Sequence, residues 1–356
     1  MRRWAFVIAA LAWADAAQAE IELEPGKPLR LIGEVAAPSE GAPRRFVIDA
    51  LIAEGDEPFQ SRIDGWFASL DPADAGSGEI EGTCVQERCA LSVRLGAGEF
   101  GVTGDLTTGG SGIGQAALRP RWSDEPPPAP SAVTFAGFDD EAPGLGRLAP
   151  RGTIGSHDLS DQLVWAGIDL GFSNLDDGEP DGRERGGLAD WQAAQGRPPS
   201  GLLLADDLAA LKAEAETAQA AAGWRAVEGA AWAAGYPSAL LRPIAGEPYR
   251  FASADARAEL VWALEGPMSE ADWDALVERE TADNDADENR GYIRVNDDLE
   301  MTVTRAGVRH VAVWLNRPGG VTHMTYRYPE GDESLARLEP VLLRTFRLPD
   351  DFGAED

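Results

Sequence analysis

Residues 299–328 read LEMTVTRAGVRHVAVWLNRPGGVTHMTYRY. Leu299, Met301 and Val303 alternate with Glu300, Thr302 and Thr304, which is the period of a strand with one apolar side. Val308–Leu315 and Val321–Tyr328 follow, joined by Asn316-Arg317-Pro318-Gly319-Gly320, whose Pro-Gly centre predicts a type II turn. If Arg317 faces Gly320, the register follows. Val311 lies opposite Tyr326 and Val313 opposite Met324, forming an apolar face, while His310 lies opposite Arg327 and Trp314 opposite His323 on a polar-aromatic face. This meander over 292–328, together with two helices, one at Glu270–Ala282, predicts an α+β domain with an antiparallel sheet over 224–356. His310, Trp314, His323 and Arg327 are its candidate ligand face; the competing reading is a solvated face, or one half-covered by the helix at Glu270–Ala282.

Working outward, residues 20–122 carry short β-rich runs at Leu29–Val35, Arg45–Ile52, Ile63–Leu70, Glu79–Cys84, Cys89–Leu95 and Phe100–Leu106. Gly, Pro and Asp clusters separate them, which predicts a small antiparallel sandwich or barrel. A Pro/Gly-rich linker is expected over 123–156, stiffened by Pro126-Pro127-Pro128 and Pro130, with Val133–Phe138 as one extra strand. Residues 157–223 read as three helices. Leu163, Ala166, Gly167 and Leu170 share a face of the first, which is expected to stop at Gly171. Asp181 and Glu184 have capping-box spacing for a second that runs to Gly196 with Leu188 and Trp191 inward, and a third begins near Ala205. The fold class is therefore multidomain α+β, in three parts.

Residues 1–19 have the form of a secretory signal: Arg2 and Arg3, an apolar run from Trp4 to Ala14, then Ala17-Gln18-Ala19. That run is too short to span a bilayer. Cleavage after Ala19 would leave an exported periplasmic protein with no transmembrane segment. Cys84 and Cys89 bracket four residues between two strands, and an oxidising compartment permits a disulfide across that hairpin. The 356-residue chain has 31 Lys+Arg against 61 Asp+Glu, a net charge of −30. Only Lys27 and Lys212 are lysines. Such a balance argues against nucleic acid and against an anionic membrane surface, both of which need clustered cations.

Within 157–212 the residues resemble the peptidoglycan-binding-like domain, a three-helix module of cell-wall proteins. Leu170-Gly171-Phe172 is similar to the end of its first helix, and Asp177-Gly178-Glu179-Pro180-Asp181-Gly182 to its doubled Asp-Gly loop. Trp191-Gln192 with Gly196 is similar to its Phe-Gln-x-x-x-Gly helix end, and Gly201, Leu203 and Leu211 fit its last segment, with Asp207 where the family has Thr. The resemblance implies peptidoglycan as partner. Phe172 would stack on a sugar, Arg183 or Arg185 would pair with a stem-peptide carboxylate, and Asp181 would stand at the loop. Trp191 and Asp181 have plainer roles as core residue and helix cap. Over 224–356, the Gly235-Tyr236-Pro237 strand end, the meander and a helix before Phe346 faintly resemble the PsbP/Mog1-type fold, which implies binding or assembly.

No catalytic signature assembles. Ser156-His157 is followed by Asp158 rather than by the Gly and Cys of an L,D-transpeptidase, and the histidines stand apart at 157, 310 and 323. Gly109-Gly110-Ser111-Gly112 is not a nucleophile elbow. A glycosidase needs only two carboxylates, so a hydrolase with an unrecognised acid pair stays as an alternative. Asp177, Glu179, Asp181 and Gly182, and separately Asp283-Asn284-Asp285-Ala286-Asp287, resemble calcium loops, but Leu188 and Arg294 stand where a bidentate Glu belongs. No metal or cofactor is expected. The expected function is non-catalytic association with peptidoglycan or with envelope proteins near it; a protein-binding scaffold whose helical module binds nothing is the other alternative.

Overall fold

The computed structural model describes residues 24–35, 44–55, 59–70, 76–85, 88–95, 98–105, 111–120, 131–170, 180, 182–227, 235–282, 288–295, 297–317 and 319–346. The expected signal peptide lies outside them. The chain is mixed α+β with mostly antiparallel sheets and forms two compact units, 1–149 with 188–206, and 150–187 with 207–356. The stretch read as one helical module, 157–223, is thus shared between them.

In the first unit, eight antiparallel strands close into a barrel: β1 (Pro28–Val35), β2 (Arg44–Glu54), β3 (Gln60–Ser69), β4 (Ser77–Val85), β5 (Arg88–Leu95), β6 (Gly98–Asp105), β7 (Ser111–Pro120) and β8 (Ser131–Gly137). The strand expected as an extra beyond the β domain is β8, and it completes the circuit by pairing with both β7 and β1. Leu31, Phe46, Ile48, Ile52, Ile63, Phe67, Ile80, Val93, Val133 and Phe135 belong to one buried core. The Phe46 ring lies over Gly33, where a Cβ would sit 2.0 Å from Cζ, so glycine makes room for the ring in mid-strand. Cys84 and Cys89 face each other across β4 and β5 and form a buried disulfide in the same core. A loop this short contributes about 2 kcal/mol by restricting the unfolded chain.

The outward residues Val47, Trp66 and Ala68 are buried as well, against Ala142, Leu148, Leu202 and Leu204. The covering segments include β9 (Glu141–Ala142) paired with β10 (Gly146–Arg147), and the loop before residue 204. Trp66 Nε1 donates to Ser200 O at 2.7 Å, and Ala149 N to Leu203 O at 2.7 Å.

In the second unit, α1 (Ser156–Trp165) ends earlier than expected. Gly167 adopts φ +89°, its N–H donates to Val164 O, and the N–H of Ile168 donates to Leu163 O. These paired bonds close a Schellman cap at Gly167, so the stop falls there and not at Gly171. α2 (Gly182–Ala194), whose residues from 188 onward belong to the first unit, ends the same way at Gly196, as expected. α3 (Ala205–Ala222) begins where expected and precedes the paired β11 (Trp224–Ala226) and β12 (Gly235–Pro237).

The main sheet of this unit contains β13 (Arg242–Ile244), β14 (Glu247–Ala252) and β15 (Glu259–Leu264), then α4 (Glu270–Thr281) crosses to the far edge. From that edge β16 (Glu288–Val295), β17 (Asp298–Arg305), β18 (Val308–Arg317) and β19 (Gly320–Pro329) return as a meander, and β19 lands beside β15. Val311↔Tyr326, Val313↔Met324, His310↔Arg327, Trp314↔His323 and Arg317↔Gly320 are all paired as the turn dictates. Both faces of the meander's inner strands are covered. α5 (Glu333–Ala336) and α6 (Leu338–Thr345) pack Leu335, Leu338 and Leu342 on Val311, Val313, Met324 and Tyr326. α4, capped by Ser269 accepting from Asp272 N, packs Trp273, Leu276 and Val277 on Leu299, Ala312 and Trp314.

The β17–β18 connection is a two-residue turn in which Ala306 (φ +49°) and Gly307 (φ +73°) are both left-handed. This is the primed geometry that matches strand twist and favours Asn-Gly. Alanine there carries a backbone penalty of about 1 kcal/mol. Ala306→Asn is expected to raise the unfolding free energy by up to about 1 kcal/mol, read as a higher urea midpoint at unchanged slope; a lower midpoint would contradict the turn assignment.

Candidate functional site

Phe172 and Asp181 lie outside the described residues, as do Asp177, Glu179 and the acidic run 283–287. Arg185 is buried and its Nε donates to Pro180 O at 3.2 Å, whereas Arg183 is exposed. Trp191 is core, with the Arg197 guanidinium 5.5 Å from its ring centroid. Gln192 is fully buried and acts as a hub. Its Oε1 accepts from Ser200 N, Ser200 Oγ and Gly201 N at 2.9, 3.2 and 2.8 Å, and its Nε2 donates to Leu202 O at 3.3 Å. The residues that resemble a wall-binding helix end are therefore spent on holding the 196–204 loop, which covers Trp66.

The register brings His310, Trp314, His323 and Arg327 onto one face, but they do not converge on an open site. Trp314 is only 7 % exposed and packs with Trp273 beneath α4. His323 Nδ1 stands 3.5 Å from Glu265 Oε1. Burial pushes the imidazole below its usual pKa, with Glu265 and Glu280 pulling it back up. Arg327 turns to Glu259, which is buried between it (2.5 Å) and Arg250. His310 is half-buried. The half-covered face is thus the one that forms.

The more unusual chemistry lies on the opposite face. Glu300 sits there, 8 % exposed, opposite Val313. Around it are Arg344 and Glu339 from α6, Arg309 from β18 and Asp169 from the segment after α1. Arg344 is 3 % exposed. Arg309 donates through Nη2 and Nε to the two oxygens of Glu339 at 3.0 and 3.3 Å, a bidentate clamp between β18 and α6. The Tyr328 hydroxyl donates to Glu339 Oε2 at 2.6 Å. Burial, aided by that bond, raises the Tyr328 pKa well above a free phenol's. Nearby, Ser160 Oγ donates to Glu184 Oε1 at 3.0 Å, and both groups are buried. Burial is the main force on Glu300 itself, pushing its pKa from 4.5 up to about 7 against the pull of Arg344.

The alternation of residues 299–304 alone pointed Glu300 to solvent. Reading the Ala306-Gly307 turn would have placed it beside Val313 on the apolar face. The signal was there, in a turn that Ala disguises. Among the described residues, no group of three or more His, Cys, Asp or Glu is arranged to hold a metal, and no helix is long and apolar enough to cross a membrane. No protein-family model matches the chain, and no curated protein or solved structure does either.

Gln192→Ala leaves the Ser200 and Gly201 N–H groups without their acceptor. It is expected to cost about 3 kcal/mol in the urea unfolding of the full chain, whereas Arg197→Ala is expected to cost about 1 kcal/mol or less; equal, small losses would contradict the hub.

Proposed function

We propose that the protein is an exported, non-catalytic component of the cell envelope that works by holding another envelope protein. The supporting observation is where its side chains are committed. Arg185, Trp191 and Gln192, from the wall-binding resemblance, are buried and bonded within the fold. Apolar side chains meanwhile remain exposed on β16, at the edge of the seven-stranded sheet: Tyr292 is 56 % and Ile293 46 % exposed, between exposed Gly291 and Arg294. An edge strand with uncovered apolar residues is a surface that proteins use for strand addition.

Direct peptidoglycan association is the second reading. It rests on the likeness of the Trp191-Gln192 helix end to the wall-binding module. A net charge of −30 opposes approach to a wall that carries carboxylates, but screening confines that repulsion to about 8 Å at physiological salt.

Co-sedimentation of the mature protein with purified sacculi across a salt series separates the readings. The protein is expected to stay in the supernatant at every salt concentration and to release no soluble fragments by mass spectrometry. Pelleting that resists salt would restore the wall-binding reading, and released muropeptides would restore the hydrolase with a hidden acid pair. Tyr292→Ser with Ile293→Ser is expected to leave the melting temperature within a few degrees of the parent, as surface changes do.

A further inference from the structure

We propose that Glu300 is a proton-operated latch that holds α6 on the sheet when its carboxyl is protonated and loosens α6 when the proton leaves. This inference is independent of the partner proposed above.

The argument starts from position. The register of β17 against β18 puts Glu300 under the helices, where a strand of alternating polarity would ordinarily turn a glutamate to water. Its Oε2 is buried and accepts no hydrogen bond among the described residues. A bare carboxylate in that setting has lost its water and gained no full replacement, while the neutral acid loses much less. Three of the elements around it contribute charge. α6 presents Arg344 and Glu339, β18 presents Arg309, and the segment after α1 presents Asp169. Arg309 is engaged with Glu339. Arg344 feels Glu184 and Asp169 as well as Glu300, and Arg183 opposes it, so its positive charge is divided among three acids. The two arginines therefore do not offset the burial of an ionised Glu300, and its pKa lies near 7 rather than 4.5.

The direction of the linkage is set by this shift. Between pH 4.5 and about 7 the folded chain keeps a proton that the unfolded chain has released, so stability falls as pH rises through that window and levels off above it. The fall comes to the order of 100-fold in the equilibrium that closes α6. α6 is the element to respond, because Leu338, Leu342 and Phe346 dock on the face that Glu300 occupies, and α1 packs on α6.

The test is hydrogen exchange of the full chain at pH 5, 6, 7 and 8, corrected for intrinsic rates, in the parent and in Glu300→Gln. Peptides covering 338–345 are expected to lose protection by the order of 100-fold from pH 5 to 8 in the parent, and to lose far less in Glu300→Gln, which cannot ionise. Parallel profiles in the two proteins would overturn the latch. So would loss of protection spread evenly over the barrel peptides 28–95, which would indicate general charge repulsion. If Glu300→Gln fails to fold, difference infrared spectroscopy of the parent decides. A protonated carboxyl band that titrates near neutral pH supports the latch, and its absence above pH 5 overturns it.

Discussion

Two short turns hold the register of β17, β18 and β19, and the buried groups of these three strands take their positions from that register. Arg305↔Val308 and Arg317↔Gly320 close the hairpins. Side-chain direction alternates with a period of two, so a slip of one residue would exchange the two faces of all three strands. Val311, Val313, Met324 and Tyr326 would then leave the α6 side, and Trp314 would leave α4. The same constraint places Glu300 among apolar neighbours. Its burial is a consequence of a register that the surrounding apolar residues favour.

The barrel meets a different constraint. An eight-stranded barrel has an interior that side chains can just fill, and here Phe46, Phe67 and Phe135 occupy it with Gly33 making way for a ring. Its outer wall also carries apolar residues, Val47 and Trp66, which need a cover. Part of that cover is the loop 196–204, whose backbone polar groups must find partners once buried. Gln192 supplies them, accepting from two consecutive N–H groups and donating to a carbonyl. A glutamine suits this position because one side chain carries both an acceptor and a donor.

Buried charge is handled in two ways within the second unit. Glu259 lies between Arg250 and Arg327, and Glu339 is clamped by Arg309 and Tyr328, so each has close ionic or hydrogen-bonded partners. Among the described residues, Glu300 keeps one oxygen without a hydrogen-bond partner. The contrast explains why burial dominates the acidity of Glu300.

Local patterning in the chain determined much of this. The register of β18 on β19 followed from Arg317 facing Gly320, strands β1 to β6 of the barrel from short β-rich runs between turn residues, though not β7, the Cys84–Cys89 pair from its place between two strands, and the end of α2 from Gly196. These features depend on residues close together in the chain, where turn geometry and side-chain period act directly. Tertiary structure alone decided that β8 closes the barrel, that helical stretch 157–223 is shared between two units, that Trp314 is core, and that Gln192 is a hydrogen-bond hub. Each of those depends on which distant segment covers a given face. A strand that alternates polar and apolar residues records that it has two sides, but burial of the polar side is settled only when a helix packs over it.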